Sequence, residues 1–238
     1  MVTVNITDFD LDPARLAPLR ECMDNYGIGD PNAEWPNNII SRKAVAYGSG
    51  VIARQGIPVV HNVAPSEFAL CKRLASEVNA LMSGVRVGMG SEADDTFHEF
   101  FIVANVDDPT TDQIGEALVR AKFGDTIFPM ATMTVEPLEE AGVWWSELLY
   151  DVSDLDLAHQ EAHLRPWRQM IRWFHAQVEF KDSRFVRIGE YERLSELDFA
   201  HSDAPPGTEL AASVLPRLAI GLTTGGSIVG LFGYSVQT

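Results

Sequence analysis

The stretch from Pro216 to Thr238, PRLAIGLTTGGSIVGLFGYSVQT, decides the fold. Leu218 to Leu222 and Ile228 to Gly233 are apolar runs, and Thr223-Thr224-Gly225-Gly226-Ser227 between them supplies glycines for the positive φ angles of a tight turn. The pattern predicts a β-hairpin whose second strand continues through Tyr234-Ser235-Val236-Gln237-Thr238. A chain end frays unless a sheet ties it down, so this strand is expected to fix the Thr238 hydroxyl and α-carboxylate in place, where they can act as ligands. The plainer expectation from the hairpin alone is a strand that completes a sheet.

Working upstream, the segment from Phe185 to Tyr191 reads as a strand, and residues 195–212 read as a loop or insertion around Asp203-Ala204-Pro205-Pro206-Gly207. Trp167, Met170, Ile171, Phe174 and Val178 form a wide apolar helical face after Pro166, which is expected to kink or restart a helix opened by Ser153-Asp154-Leu155-Asp156. Trp144-Trp145 to Tyr150 fits strand or helix, and Thr126 to Glu136 is β-prone. A helix is expected from Pro109 to Lys122, and a strand from Phe97 to Val106 with His98 and Glu99 embedded. Leu70, Leu74, Val78 and Leu81 recur at intervals of three and four, which predicts an amphipathic helix ended by Gly84.

Pro65 marks a division. Residues 1–63 read as an N-terminal extension or subdomain, with a strand at Val2 to Ile6, a helix from Pro13 to Asn25 capped by Asp12, and β-prone runs at Lys43 to Tyr47 and Gly56 to His61. Residues 64–238 read as the main domain. Helices and strands alternate without clean βαβ repeats, so the expected architecture is a mainly antiparallel sheet covered by helices.

The chain has 238 residues, 46% of them hydrophobic, enough for a sizeable core without metals or disulfides. Its two cysteines, Cys22 and Cys71, have no CxxC or CxxH neighbour. The N-terminus lacks a signal-peptide pattern and no run reaches the ~18 apolar residues of a membrane span, so a cytoplasmic protein is expected. Eighteen basic residues stand against 34 acidic ones, a net charge of −16. Such a surface repels phosphate backbones, which points away from DNA or RNA and toward a basic protein partner.

Catalytic patterns are sparse. His159 and His163 lie four residues apart on one helix face, with His175 beyond, a spacing that can hold zinc, yet the intervening Glu161 is in neither the HExxH nor the HxxEH position. Asp8-Phe9-Asp10-Leu11-Asp12 has the spacing of a phosphatase nucleophile loop without its later motifs, and Asp12 is better explained as a helix cap. Gly48-Ser49-Gly50 and Gly225-Gly226 open no helix after a parallel strand and are read as turns. No GxSxG elbow occurs, and Cys71 sits on an apolar helix stripe as a packed thiol.

Arg184-Phe185-Val186-Arg187-Ile188-Gly189-Glu190, then Ala219-Ile220-Gly221-Leu222-Thr223 and Gly226-Ser227-Ile228-Val229-Gly230-Leu231, resemble the C-terminal half of the nuclease A inhibitor family. That family has an arginine-hydrophobic-glycine-glutamate strand, a strand-turn-strand, and a Val-Glu-Thr ending, where this chain has Val236-Gln237-Thr238. Ser91-Glu92-Ala93-Asp94 before Phe97 is similar to the family's acidic turn, and the amphipathic helix before it corresponds too. The resemblance runs in patches from about Ser66 to Thr238, with insertions near Trp144 and at residues 195–212. It implies a three-layer α-β-α sandwich, an α/β (α+β) fold, and inhibition of a non-specific, magnesium-dependent endonuclease of the ββα-metal type.

Carried over residue by residue, Glu92 and Thr238 would approach the nuclease's catalytic site and the magnesium ion it holds, with Asp94 and Gln237 beside them and Trp144, where exposed, as an apolar anchor. The inhibitor itself needs no cofactor and is not an enzyme on this reading. Gln237 in place of the family's glutamate removes a charge, and the first 60 or so residues have no family counterpart. The rival expectations are a metal-dependent hydrolase built on His159 and His163, and an immunity protein against a toxin that is not a nuclease.

Overall fold

The computed structural model describes residues 3–5, 44–46, 50–54, 60–92, 96–105, 108, 110–123, 133–188 and 214–236. The chain has a mixed α+β fold. In order come β1 (Thr3–Asn5), β2 (Ala44–Ala46), β3 (Gly50–Arg54), β4 (Val60–Asn62), α1 (Pro65–Leu81), β5 (His98–Ile102), α2 (Glu116–Phe123), β6 (Met133–Pro137), α3 (Gly142–Asp151), α4 (Leu157–Ala176), β7 (Phe180–Ile188), β8 (Val214–Thr223) and β9 (Ile228–Val236). Seven strands form one sheet in the order β2-β3-β5-β9-β8-β7-β6. Its five strands from β5 to β6 are antiparallel throughout, and β3 joins β5 in parallel. The strands β1 and β4 make a separate antiparallel pair.

The expected hairpin is present and is longer at both ends than its apolar runs. Leu222 pairs with Ile228, and the ladder continues to Val214 opposite Val236. Gly226 takes a φ of +85°, and its N–H donates to the Thr223 carbonyl at 3.0 Å, which closes the turn. The loop is also tied to α1: Thr223 Oγ1 donates to Glu67 Oε1 at 2.5 Å and accepts from the Ser227 N–H at 2.9 Å.

Both faces of the sheet are buried along β8 and β9, which is why these two strands read as continuous apolar runs and not as alternating ones. Phe101 and Val229 pack with Cys71, Leu74 and Ala75 of α1, while Phe185, Ala219 and Leu231 pack with side chains of α3 and α4. On the other face Phe100, Leu218, Ile220, Leu222, Ile228, Phe232 and Tyr234 are at most 4% exposed. Full burial of each such side chain stabilises by about 1.5–3 kcal/mol before ordering entropy is counted. Cys71 is completely buried, and desolvation pushes its thiol up to about 12.

Several boundaries differ from the sequence expectation. Strand β5 ends at Ile102, four residues short, where the Ala104 N–H turns to Ser227 Oγ at 3.0 Å. Helix α2 starts at Glu116, because the residues before it bend, with Thr111 Oγ1 bonded to Gln113 and the Ile114 N–H donating to Asp182 Oδ2. The cap of α4 is Asp156 and not Ser153: Asp156 Oδ1 accepts from the N–H groups of Ala158 and His159, both at 3.0 Å. Helix α4 runs through Pro166 without restarting.

The ambiguous segment around Trp144 is helix α3, and β7 begins five residues earlier than expected. In the N-terminal segment the breaker Gly50 starts β3, and of the later β-prone run the described part, from Val60, is strand β4, Val60–Asn62. The expected helix from Pro13 to Asn25 and the insertion at residues 195–212 lie outside the described residues.

Candidate functional site

The segment after α1 leaves the helix through Gly84, at a φ of +73°, and forms a loop closed by an antiparallel bridge between Arg86 and Thr96. At its start Gly88, Met89 and Gly90 have φ of +64°, +61° and +70°, three consecutive residues in the left-handed region. Met89 is the one non-glycine residue with positive φ among the described residues. An L-residue pays roughly 1–2 kcal/mol for that conformation. Burial of the Met89 side chain, 1% exposed within the core cluster that holds Trp144 and Trp145, offsets it.

Asp151, the last residue of α3, supplies the remaining support. Its Oδ2 accepts from the Met89 N–H at 2.5 Å and its Oδ1 from the Gly90 N–H at 2.8 Å. Successive N–H groups aimed at one carboxylate make an anion nest that a side chain of the same chain occupies. The Ser91 N–H closes the turn on the Gly88 carbonyl at 3.2 Å. A Cβ on Gly88 would lie 2.5 Å from Asp151 Oδ2, so any side chain there pushes the carboxylate off the turn.

The same turn rests against the end of β9. Ser235 Oγ donates to the Met89 carbonyl at 3.4 Å, and Val87 packs over Gly233. Glu92 leaves this turn exposed to solvent, two residues past Gly90. The turn that precedes Glu92 thus lies beside β9, an interior strand of the sheet. Asp94, Gln237 and Thr238 themselves lie outside the described residues.

Trp144 is not a surface anchor. It is fully buried, its ring stacked on Phe185 at 4.5 Å between centroids and its Nε1–H donating to the Pro137 carbonyl at 3.2 Å. Its helix position, with Trp145 and Leu148 on the same side, faces the sheet. The histidine pair is also divided. His159 is exposed, with Nδ1 2.7 Å from Asp156 Oδ2, whereas His163 is half-buried with an enclosed Nε2. The N–H groups and imidazole of the first turn hold the Asp156 carboxyl below the usual range. Among the described residues no group of three or more His, Cys, Asp or Glu side chains is arranged to hold a metal ion.

A second polar cluster was invisible in the sequence. Arg187 on β7 reaches Glu136 on β6 at 3.2 Å and Glu147 on α3 at 3.0 Å, while Glu136 Oε1 accepts from the Val143 N–H at 2.7 Å. A strand carboxylate thereby satisfies the first turn of a helix whose own N-cap, Ala141, has no side-chain oxygen. Burial pushes the Glu147 carboxyl above its ordinary value against the pull of Arg187 and Arg217. This network fixes α3 on the sheet and so sets the position of Asp151. No sequence pattern ties Arg187 to Glu136 or Glu147, which lie 51 and 40 residues away along the chain.

No helix among the described residues is long and apolar enough to cross a membrane. No protein-family model matches the chain. No characterised protein matches it in sequence either.

Proposed function

We propose that the chain is a protein inhibitor of a non-specific, magnesium-dependent endonuclease of the ββα-metal type, built as a three-layer α-β-α sandwich and working without catalysis of its own. The observation that carries this reading is the contact between Ser235 and Met89, which sets the acidic turn against the end of the C-terminal strand. The burial of both faces along β8 and β9 supports a covering layer on either side of the sheet.

In this reading Glu92 and Thr238 approach the nuclease's catalytic site together. A carboxylate and a hydroxyl are hard oxygen donors of the kind magnesium prefers, so they can take the place of water or phosphate oxygens on the ion held by the nuclease. The Asp151 clamp keeps the turn in its bound shape before the partner arrives, which lowers the ordering cost of association. The net charge of −16 would draw in a protein whose own surface is shaped to attract nucleic acid.

The test is DNA cleavage by a ββα-metal endonuclease from the same organism, with and without equimolar protein. The intact chain, Glu92→Gln and a chain lacking Gln237 and Thr238 are compared. Inhibition by the intact chain that is lost in both variants is the expected result. Full cleavage in the presence of micromolar intact chain would sink the reading, and an immunity role against another toxin would then be the next to test.

A further inference from the structure

We propose that the outward side of α3 and the turn after it, centred on Tyr150, Leu155 and Leu157, form a second contact surface for the same basic protein partner. The inference rests on the inhibitor reading and names the apolar anchor of that interface as Tyr150 instead of Trp144. Among the described residues six large apolar side chains are exposed, and five of them, Val143, Leu149, Tyr150, Leu155 and Leu157, fall within residues 143–157. Single exposed apolar residues are ordinary on any surface, but this concentration in one short segment is not. Tyr150 is 77% exposed and Leu157 83%, so both are free to meet a partner.

Charge selects the occupant. Residues 142–157 contain no lysine or arginine; Glu147 is turned inward onto Arg187, and Asp151, Asp154 and Asp156 are the exposed carboxylates. A nucleic acid or an anionic lipid surface would be repelled. A second copy paired about a two-fold axis would bring this acidic segment against itself. A protein face that offers arginine or lysine around an apolar recess fits both features, and tyrosine is a side chain that such interfaces favour as an anchor.

The surface is also held in shape. The Ser153 N–H donates to the Tyr150 carbonyl at 3.1 Å and the Leu155 N–H to the Val152 carbonyl at 3.0 Å, while Gln160 Nε2 holds the Leu155 carbonyl at 2.8 Å. It is continuous with the Glu92 turn through Asp151, the residue after Tyr150, whose carboxylate binds the N–H groups of Met89 and Gly90. On this proposal one partner spans both the turn and Tyr150.

Calorimetric titration of the same purified ββα-metal endonuclease tests this with the intact chain, the Tyr150→Ala/Leu157→Ala double variant, Leu155→Ser, and Val178→Ala as an exposed apolar control away from the segment. Thermal unfolding of each variant establishes that it is folded. Weakening by about ten-fold or more in the double variant, a smaller loss in Leu155→Ser and none in Val178→Ala is the expected pattern. Affinity within about two-fold of the intact chain for the folded double variant would overturn this surface and leave the inhibitor reading standing. Absence of binding by the intact chain overturns both. Sedimentation equilibrium that shows an intact dimer and a monomeric double variant would make the occupant a second copy and overturn the proposal.

Discussion

Along β9 every residue from Ile228 to Ser235 is buried, and Val229 and Leu231 each sit within an apolar cluster. In the loop beside it, two consecutive N–H groups depend on one carboxylate 62 residues further along the chain. The strand is stabilised by area, spread over many interchangeable contacts, and the loop by a few directional bonds that nothing else replaces. The first arrangement resists local change and fails only with the whole core. The second can loosen alone, and it is the one placed where a partner is proposed to bind.

The sharpest way to probe the apolar side is Trp144→Ala. Removing a fully buried indole stacked on Phe185 should cost about 3–5 kcal/mol, read as a fall in the thermal midpoint with one cooperative transition. A cost under about 1 kcal/mol would mean that the core collapses around the gap and that its packing is far looser than its burial implies. The polar side is probed by Asp151→Ala. It should ease opening of the loop by about 1.5–3 kcal/mol, seen as faster hydrogen exchange at the Met89 and Gly90 amides with β9 amides unchanged. Equal acceleration in β9 would show that loop and strand open as one unit, and the contrast between them would be lost.

The smallest effect lies inside the sheet, where the apolar pattern contains a titratable group. Desolvation holds the His98 imidazole, 5.7 Å from the Phe232 ring, below its ordinary value of 6.5. As pH falls through 6.5 the unfolded chain takes up this proton before the folded one, so stability is full above that point and declines toward the lowered folded value. Urea midpoints at about pH 7.5 and about pH 5.5 should therefore differ by less in His98→Gln than in the unaltered chain. An identical difference in the two would assign the acid slope to other groups.

The parts of the fold that were legible in the sequence are those made by local repetition. The β8–β9 hairpin followed from two apolar runs around paired glycines, and α1 from Leu70, Leu74 and Val78 at helical spacing. What stayed hidden depends on side chains meeting across long separations. Glu136 serving the start of α3 from a neighbouring strand leaves no periodic trace, and neither does Asp151 reaching back to Met89. The cap of α4 was misplaced because Ser153, Asp154 and Asp156 can all cap a helix, and only the turn bonds at residues 150–155 decide where the helix starts. At the candidate site Glu92 was legible as an acidic turn residue, while the left-handed run at residues 88–90 was only half visible, since Met89 is not a residue that advertises positive φ.

The burial of Cys71 gives the molecule its own clock. A thiol held near 12 in a dry helix–sheet seam is a poor nucleophile and is screened from reagents, so in the folded protein it stays silent toward alkylating agents. It speaks only when α1 lifts from Phe101 and Val229. The rate at which Cys71 becomes labelled thus times the parting of helix and sheet, with no probe added to the chain.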